Sequence, residues 1–164
     1  MAVVRVINKV SDLVDKVCSA ILVALLIGMV FTTSLQIICR VFFSALSWSE
    51  ELTRYFLVWS TFIGASCVYK KSGHISVTFV QERLPRKLRK AAQILVHLLC
   101  GAFFVIIVYY GFKYMDRQGN QLSAAMRIPM NRMYMAIPVG GSVMLLHALN
   151  AIVNILVDKG VAEQ

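Results

Sequence analysis

Charged side chains are scarce in this chain of 164 residues. Lys, Arg, Asp and Glu together make up 15% of it, whereas hydrophobic residues make up 59% and the mean hydropathy is +0.71. A soluble domain of this length cannot bury that much apolar surface. The low charge content therefore excludes an ordinary soluble domain and predicts a membrane protein.

Motifs that carry catalysis or hold metals are also missing. The sequence has no catalytic Ser/His/Asp order, no G-x-S-x-G and no phosphate-binding loop. It has no C-x-x-C pair, and we interpret its isolated cysteines as apolar packing residues; they are Cys18, Cys39, Cys67 and Cys100. Unpaired acids deep in the apolar runs, which proton or sodium coupling would use, are lacking. We therefore expect no enzyme activity, metal site or cofactor in this chain.

What the sequence does contain is four long apolar runs, at about 17–39, 50–69, 92–112 and 133–157. The hydrocarbon core of a bilayer is about 30 Å thick, and a helix needs about 20 apolar residues to cross it. The runs are too long and continuous for the strands of a membrane barrel. We predict an all-α polytopic membrane protein, in which residues 1–164 form a single domain of four transmembrane helices.

The basic residues predict the orientation of these helices. The formal net charge is +9, and 11 of the 17 lysines and arginines lie before the first run, between runs two and three, or after the last. The positive-inside rule places these segments, and so both termini, in the cytoplasm. The surplus is thus explained by topology, and we expect no nucleic-acid partner. The first run is too long for a signal peptide and lacks a cleavage site, so we expect it to be retained.

Polar residues begin the second run, in the stretch SWSEELTRY at 47–55. Ser47 followed by Glu50 matches a capping box, which satisfies free N–H groups at a helix start. Glu50 and Arg54 have the i,i+4 spacing of a favourable ion pair, and Trp48 is typical of a membrane interface. These residues predict a helix that begins at the outer face of the membrane.

Other polar and small residues recur within the runs at helical spacing. In the fourth run a polar stripe predicts contact with another helix, in this chain or in a partner, because polar groups avoid lipid. The stripe consists of Gly140, His147, Asn150, Asn154 and Asp158. In the second run Ser60 and Gly64 form a small-xxx-small step that allows close packing, again within the chain or with a partner. Pro138, followed by Gly140 and Gly141, predicts a kink.

The segment between runs two and three is basic and amphipathic. Its apolar side chains fall on one side of a helical wheel and most basic ones on an adjacent side, which is typical of a short cytoplasmic segment lying on the membrane surface. The basic residues that we expect to face lipid head groups are Arg83, Arg86, Lys87, Arg89 and Lys90. A solvated loop is the simpler alternative.

Several motifs together resemble a known family. They are Arg40, the stretch WSEELTRYFLVWSTFIGASCVYKKSGHISV, Pro85, QLSAAMRIP and AIPVGG. Over about residues 10–157 the chain is similar to the small membrane subunit of tripartite ATP-independent periplasmic (TRAP) transporters, the DctQ-like family.

The resemblance implies a function and a set of partners. Such transporters use a sodium gradient to import organic acids, such as C4-dicarboxylates or sialic acid, across the bacterial inner membrane. A periplasmic binding protein captures the substrate, and a large multi-span membrane subunit carries the substrate and sodium sites. The small subunit packs on the large one and stabilises it. We therefore expect this chain to contact the large subunit, the binding protein and membrane lipids.

The resemblance also implies where the partner contact lies. We expect Arg40, Trp48, Glu50, Glu51 and Arg54 to cluster at the outer ends of runs one and two. There Trp48, Glu50, Glu51 and Arg54 would fix the helix pair and its contact with the large subunit. The alternative is an internal role, in which the acids cap the helix and one of them pairs with Arg40.

Two other functions stay open at this point. His97 and His147 lie in different runs and could ligate haem in a membrane redox subunit. Hydrogen bonding between helices is the simpler role for both. The second alternative is a small exporter that acts as a homo-oligomer, although the shortage of acids within the runs argues against it.

Overall fold

The computed structural model describes residues 2–44, 46–72 and 86–161, with only the helical backbone given for 2–3, 72, 86–87, 89–90 and 158–161. The described chain forms helices α1 (Ala2–Phe42), α2 (Ser47–Ser72), α3 (Arg86–Arg117), α4 (Asn131–Tyr134) and α5 (Ala136–Val161). Within these residues the strand-like pairing is an isolated bridge between Leu122 and Pro129. The predicted all-α class is therefore confirmed.

Among the residues that the structure describes, three stretches of helix are long and apolar enough to cross a membrane, namely Val4–Phe42, Ala91–Arg117 and Asn131–Val157. α2 is less apolar, because acids and Arg54 lie at its start and Lys70 and Lys71 at its end. Its uncharged segment, 55–69, is about 22 Å long at about 1.5 Å per residue, shorter than the roughly 30 Å hydrocarbon core. The chain is a membrane protein, while the fourth crossing and the orientation stay predictions.

The amphipathic beginning of the chain and the first apolar run form one continuous helix. α1 is 41 residues long, about 60 Å at about 1.5 Å per residue, or twice the hydrocarbon thickness. No glycine or proline interrupts it before Gly28, so nothing in the sequence ends the helix where the apolar run begins. α1 therefore carries charged residues such as Asp12 and Lys16 on the same rigid element as its apolar run.

α2 and α5 lie at the centre of the packed helices. α2 packs on α1 and on α5, and α5 also packs on α3, with a smaller contact to α1. Two buried clusters hold these pairs, Cys18 with Ile63 and Cys67 between α1 and α2, and Phe104 with Met144 and Ala148 between α3 and α5. The four cysteines are free, and Cys18 and Cys67 are buried among apolar neighbours, as expected of packing residues.

A glycine in α5 allows a close approach between the two central helices. A Cβ added to Gly140 would lie 2.7 Å from Cβ of Phe62 and 3.2 Å from its backbone in α2. Only a glycine fits such a contact without a shift of backbone. Gly140 is thus the point at which α5 and α2 meet.

The last apolar run is divided into two helices at Met135. α4 ends at Tyr134, α5 begins at Ala136, and the Val139 amide donates to the Met135 carbonyl across the join. Pro138 has no N–H to donate to the Tyr134 carbonyl, which removes one rung of the helical ladder. Met135 itself keeps helical backbone dihedrals, with φ of −58° and ψ of −23°, so the predicted kink stays a prediction.

Candidate functional site

The residues singled out by the sequence lie at the two ends of the helices. We call the end that carries Ser47 and the loop 118–130 the outer end, after the predicted topology, and the opposite end the inner end. Each end has its own polar arrangement.

At the outer end, Glu51 of α2 binds the loop 118–130. Its Oε2 accepts hydrogen bonds from the backbone N–H groups of Ala125 at 2.9 Å and Met126 at 3.0 Å. Its Oε1 accepts a bond from the Tyr55 hydroxyl at 2.7 Å. We call Glu51, Tyr55, Ser123, Ala125 and Met126 the Glu51 clasp. It joins two parts of the chain that are more than seventy residues apart.

The loop is folded so that its amides can reach that carboxylate. The Ser123 N–H donates to the Ile128 carbonyl at 2.9 Å, and the Ile128 N–H donates to Ser123 Oγ at 3.1 Å. The Met130 N–H donates to the Gln121 carbonyl at 2.8 Å. Arg127 has φ of 52°, a left-handed conformation that costs about 1–2 kcal/mol for a residue with a Cβ. The turn thus presents two consecutive amides to one anion, as small backbone nests do.

The electrostatics of the clasp favour an ionised carboxylate. Glu51 precedes the uncharged segment 55–69 and lies at the polar end of α2. Its desolvation opposes ionisation, but hydrogen bonds from Ser123, Tyr55, Met126 and Ala125 outweigh that effect and lower the pKa of Glu51 to about 2. A carboxylate that accepts several hydrogen bonds is stabilised in its charged form. Glu51 is therefore an anion at neutral pH.

Glu50 has a different role from the one predicted. Its Oε1 accepts a hydrogen bond from Nε2 of Gln36 in α1 at 3.0 Å, and the described residues contain no ion pair between Glu50 and Arg54. The predicted capping box is also wrong, because Ser47 already lies in the helix. Instead Ser49 donates from Oγ at 2.7 Å to the Leu46 carbonyl. Glu50 therefore links α2 to α1.

The two arginines predicted at this end are exposed. Arg40 lies in the last turn of α1 and Arg54 in the second turn of α2. Within the described chain neither forms an ion pair with Glu50 or Glu51, so the internal Arg40–Glu pair is not found. Trp48 is 38% exposed. These three side chains are available to an outside partner, whereas the two acids are bonded within the chain.

The small-residue step of α2 packs inside the chain. Ser60 is buried and its Oγ donates to the Leu57 carbonyl at 2.9 Å. A Cβ added to Gly64 would lie 3.5 Å from Cδ1 of Leu22 in α1, which is ordinary contact. Of the two roles left open for this step, the described geometry shows contact within the chain.

The polar stripe of α5 faces α1 and α2. His147 Nδ1 lies 2.9 Å from Oγ of Ser11, which is fully buried. Asn154 exchanges two hydrogen bonds with Asn8, at 2.9 and 3.2 Å, and donates to Asn150 Oδ1 at 3.4 Å. Together with the Gly140 contact, these bonds confirm that the stripe faces other helices, here those of the same chain. The side chain of Asp158 lies outside the described residues.

Sequence reasoning missed Lys70, which it counted only as a topology charge. The Lys70 ammonium lies 2.8 Å from Asp12 Oδ1, 2.8 Å from the Ser11 carbonyl and 3.9 Å from Asp15 Oδ2. It ties the end of α2 to α1 beside the His147 contact. We call Asn8, Ser11, Asp12, Asp15, Lys70, His147 and Asn154 the inner polar cluster. The signal in the sequence was acids just before run one facing a lysine just after run two.

The second membrane histidine has a partner of its own. His97 Nδ1 lies 2.9 Å from the hydroxyl of Tyr69, whose ring packs edge-on against Phe104. His97 thus contacts α2 and His147 contacts α1, each through its own Nδ1. The described residues contain no group of three His, Cys, Asp or Glu side chains placed to hold a metal ion.

The basic segment predicted to lie on the membrane falls mostly outside the description. Arg83 is outside the described residues. Arg86, Lys87, Arg89 and Lys90 form the first turns of α3, where only the backbone is described. Their contact with lipid head groups stays a prediction.

Comparisons with known proteins agree with this architecture. The chain is 27% identical over 109 residues to the sialic acid TRAP transporter small permease protein of Vibrio cholerae, a match that spans 66% of this chain and 63% of that protein, just under two thirds of its length. It is 25% identical over 129 residues, 78% of each chain, to a TRAP transporter small permease protein of Haemophilus influenzae. It is also 28% identical over 117 residues to the sialic acid TRAP transporter permease protein of Haemophilus influenzae, covering 71% of this chain but 19% of that protein.

A family model covers most of the chain, including both ends of α2 and the whole loop 118–130. It is described as the DctQ component of tripartite ATP-independent periplasmic transporters and matches residues 29–158. That match includes Glu51, Lys70 and the polar stripe of α5. The chain belongs to the DctQ family of TRAP transporter components.

Proposed function

We propose that this chain is the small membrane subunit of a TRAP transporter, in which it packs on a large transporting subunit and holds that subunit in the bilayer. The transporter imports an organic acid, depends on a periplasmic binding protein and is driven by sodium. The substrate and sodium sites belong to the large subunit, so this chain needs no cofactor. It lies in the bacterial inner membrane with both termini in the cytoplasm.

The observation that carries the proposal is how the polar side chains of the helices are used. Glu51 binds a loop, Lys70 binds α1, and the stripe of α5 bonds to α1 and packs on α2. Polar groups inside a membrane protein mark solute pathways when they line a cavity. Here they hold helices together, as expected of a scaffold.

The outside of the helices supports a large partner in the membrane. Apolar side chains on α1 and α3 remain exposed, among them Phe31 at 66%, Phe42 at 73% and Tyr109 at 62%. Only lipid or another membrane protein can cover such faces. The helices pack closely on one another, α1 on α2, α2 on α5 and α5 on α3. The outer faces of α1 and α3 are therefore left for a partner.

The longer relative adds a second argument. The Haemophilus influenzae permease protein matches this chain over about a fifth of its length. A segment like this chain thus occurs joined to a much larger permease polypeptide. Two parts that occur fused in one protein act in the same assembly, which favours a large membrane partner for the separate chain.

We infer the class of substrate from the names of the similar proteins. Two of the similar proteins are sialic acid transporter components, so we propose a carboxylated substrate and test sialic acid first. Identities of 27–28% do not distinguish one organic acid from another, and the site that reads the acid would lie outside this chain.

Uptake in intact cells tests the proposal. The gene for this chain is deleted, and uptake of radiolabelled sialic acid and C4-dicarboxylates is measured with sodium or with potassium in the medium. We expect sodium-dependent uptake of one acid to be lost and to return with the plasmid-borne chain. Unchanged uptake of every acid, with the chain verified in membranes of the parent strain, contradicts the proposal.

A further inference from the structure

A groove lies between the last three turns of α3 and the beginning of α5. Its volume is about 530 Å³, within the range of about 300–1,000 Å³ that is usual for sites that bind small molecules. Ile106 and Ile107 of α3 and Ile137 of α5 form its apolar walls. We call it the α3–α5 groove.

One end of the groove is cationic. Lys113 and Arg117 line it, one helical turn apart and therefore on the same face of α3. Both are exposed, and in the part of the chain that the structure describes no carboxylate pairs with either of them. Asp116 lies next to Arg117 in sequence but does not line the groove. The groove therefore carries two cations that are not neutralised by described side chains.

The remaining walls are aromatic. Tyr110 and Tyr114 line the groove, and the Lys113 ammonium lies 6.0 Å from the centre of the Tyr110 ring. The Tyr114 ring packs edge-on against Tyr134 of α4, with the ring centres 4.7 Å apart. Tyrosines and basic residues of this kind mark the level of lipid head groups.

The floor of the groove is fixed by a close helix contact. A Cβ added to Gly111 would lie 3.0 Å from Ile137 and 3.1 Å from Pro138. α3 and α5 thus touch directly beneath the opening, so the groove is a preformed feature of the packing. Basic residues that merely reach toward the membrane surface need no such groove beside them.

Along its length the groove changes from cationic to apolar, which matches the head group and acyl chain of a lipid. Lys113 and Arg117 directly follow the predicted run 92–112, at the depth of the head groups. Ile106 lies about 16 Å from Arg117 along α3, at about 1.5 Å per residue, and so reaches hydrocarbon depth. We infer that the α3–α5 groove binds one anionic phospholipid, with its phosphate between Lys113 and Arg117 and an acyl chain along the three isoleucines.

The site goes beyond the proposed transport function and needs no assumption about the substrate. Basic pockets between transmembrane helices bind anionic head groups, and charge-assisted bonds to phosphate oxygens are among the stronger hydrogen bonds. A bound lipid at this place would cover the apolar walls, which otherwise stay open to the bilayer beside the loop 118–130.

Native mass spectrometry tests the inference. The full chain, with the subunits that accompany it, is purified from native membranes and equilibrated with phosphatidylglycerol or, separately, with phosphatidylcholine. The double variant Lys113→Gln/Arg117→Gln removes the cations, and Arg132→Gln, an exposed cation of α4 outside the groove, is the matched control. Ile106→Trp fills the apolar end at a position that is 53% exposed, so folding is preserved.

We expect one phosphatidylglycerol to stay bound to the parent protein and to Arg132→Gln. Retention should fall about tenfold or more in the double variant, equivalent to about 1.4 kcal/mol, and also in Ile106→Trp. Phosphatidylcholine should be held weakly by all four proteins. Equal retention of phosphatidylglycerol by the parent and the double variant overturns the inference, as does equal retention of the two lipids by the parent. Loss of an accompanying subunit with unchanged lipid would show that the groove is a protein interface instead.

Discussion

The outer and inner ends of the helices are held together by different arrangements of hydrogen bonds. At the outer end one carboxylate, Glu51, collects amides and hydroxyls from the loop 118–130 and from its own helix. At the inner end the bonds are divided among several side chains, of which Lys70, His147 and Asn154 each contact α1 at a different place. The outer arrangement depends on a single residue, whereas the inner one is distributed.

This difference has a physical origin. Backbone amides of an irregular loop have no partner within a helix, and a single anion can accept hydrogen bonds from several of them, here from the exposed Ala125 and the half-buried Met126. Helix-to-helix bonds at the inner end are pairwise, because each side chain reaches one neighbour. Losing the outer residue should therefore cost more than losing any one inner residue.

The largest effect is expected from Glu51→Gln. The amide keeps the shape of the side chain but loses the charge that several donors share, and we expect a loss of about 2–3 kcal/mol in the free energy of unfolding. Glu50→Gln is the matched control, because Glu50 accepts one exposed bond from Gln36 and should cost well under 1 kcal/mol. Thermal unfolding in detergent measures both variants. Equal losses of stability in the two variants would show that the Glu51 clasp contributes no more than one exposed hydrogen bond.

The clasp also has a local readout. Glu51→Gln should speed tryptic cleavage after Arg127, because the loop would no longer be held to α2. Since the pKa of Glu51 is lowered to about 2 from its ordinary value of 4.5, its contribution is complete above pH 4.5 and is lost as the pH falls toward 2. Faster cleavage of the parent protein at pH 5 than at pH 7 would contradict the assignment of the clasp to ionised Glu51. At lower pH, cleavage of the loop is measured with pepsin in place of trypsin.

Gly140→Ala tests the contact between the two central helices, α5 and α2. The added methyl group would lie 2.7 Å from Phe62 Cβ, so α5 and α2 must separate, at a cost of about 1–2 kcal/mol. Gly101→Ala is the control, because no atom lies within 4 Å of its added Cβ; it should be neutral or slightly stabilising through helix propensity. If both alanines behave alike in thermal unfolding, the central helices are not in close contact at Gly140.

Lys70→Met is expected to have a smaller effect. It removes the ion pair with Asp12 and the bond to the Ser11 carbonyl, but Asp12 is exposed and solvent screens the pair. We expect the midpoint of thermal unfolding to fall by about 2–4 °C, with Lys71→Met unchanged because Lys71 is exposed at the next position. A fall as large as that of Glu51→Gln would break the contrast between a single and a distributed attachment.

The smallest effect concerns the amide pair at the inner end. A double-mutant cycle with Asn8→Ala and Asn154→Ala should give a coupling energy of about 0.6 kcal/mol, the average for hydrogen bonds between membrane helices. The cycle is measured by unfolding in detergent, and Asn150→Ala with Asn8→Ala gives the reference pair. A coupling no larger than that of the reference pair would remove Asn154 from the inner attachment.

The long helices could be predicted from the sequence, and the details of their ends could not. Hydropathy placed every run inside a helix, because apolar length and helical backbone satisfaction go together in a membrane. Pro138 predicted a kink in the last run, where the structure ends α4 at Tyr134 and begins α5 at Ala136. The length of α1 was missed, because hydropathy marks the apolar part of a helix and not its continuation into charged residues.

The candidate site shows the same limit. Spacing along one helix predicted that Asn154 and His147 face a partner helix, but it could not name Asn8 or Ser11, which lie far away in sequence. The capping box and the Glu50–Arg54 pair were predicted from local spacing alone. Instead Glu50 bonds to Gln36 of α1, and Ser49 bonds to the Leu46 carbonyl at the helix start. Glu51 could not be assigned because two of its partners are backbone amides of a loop, and every residue type except proline has such an amide.

Recovery of a large membrane subunit tests the central claim most directly. The tagged chain is purified from native membranes in mild detergent, and the accompanying proteins are quantified by mass spectrometry. Packing on a large transporting subunit predicts one much larger multi-span protein in near-equal amount. Recovery of the chain alone, in good yield and with its thermal transition intact, would contradict a subunit role.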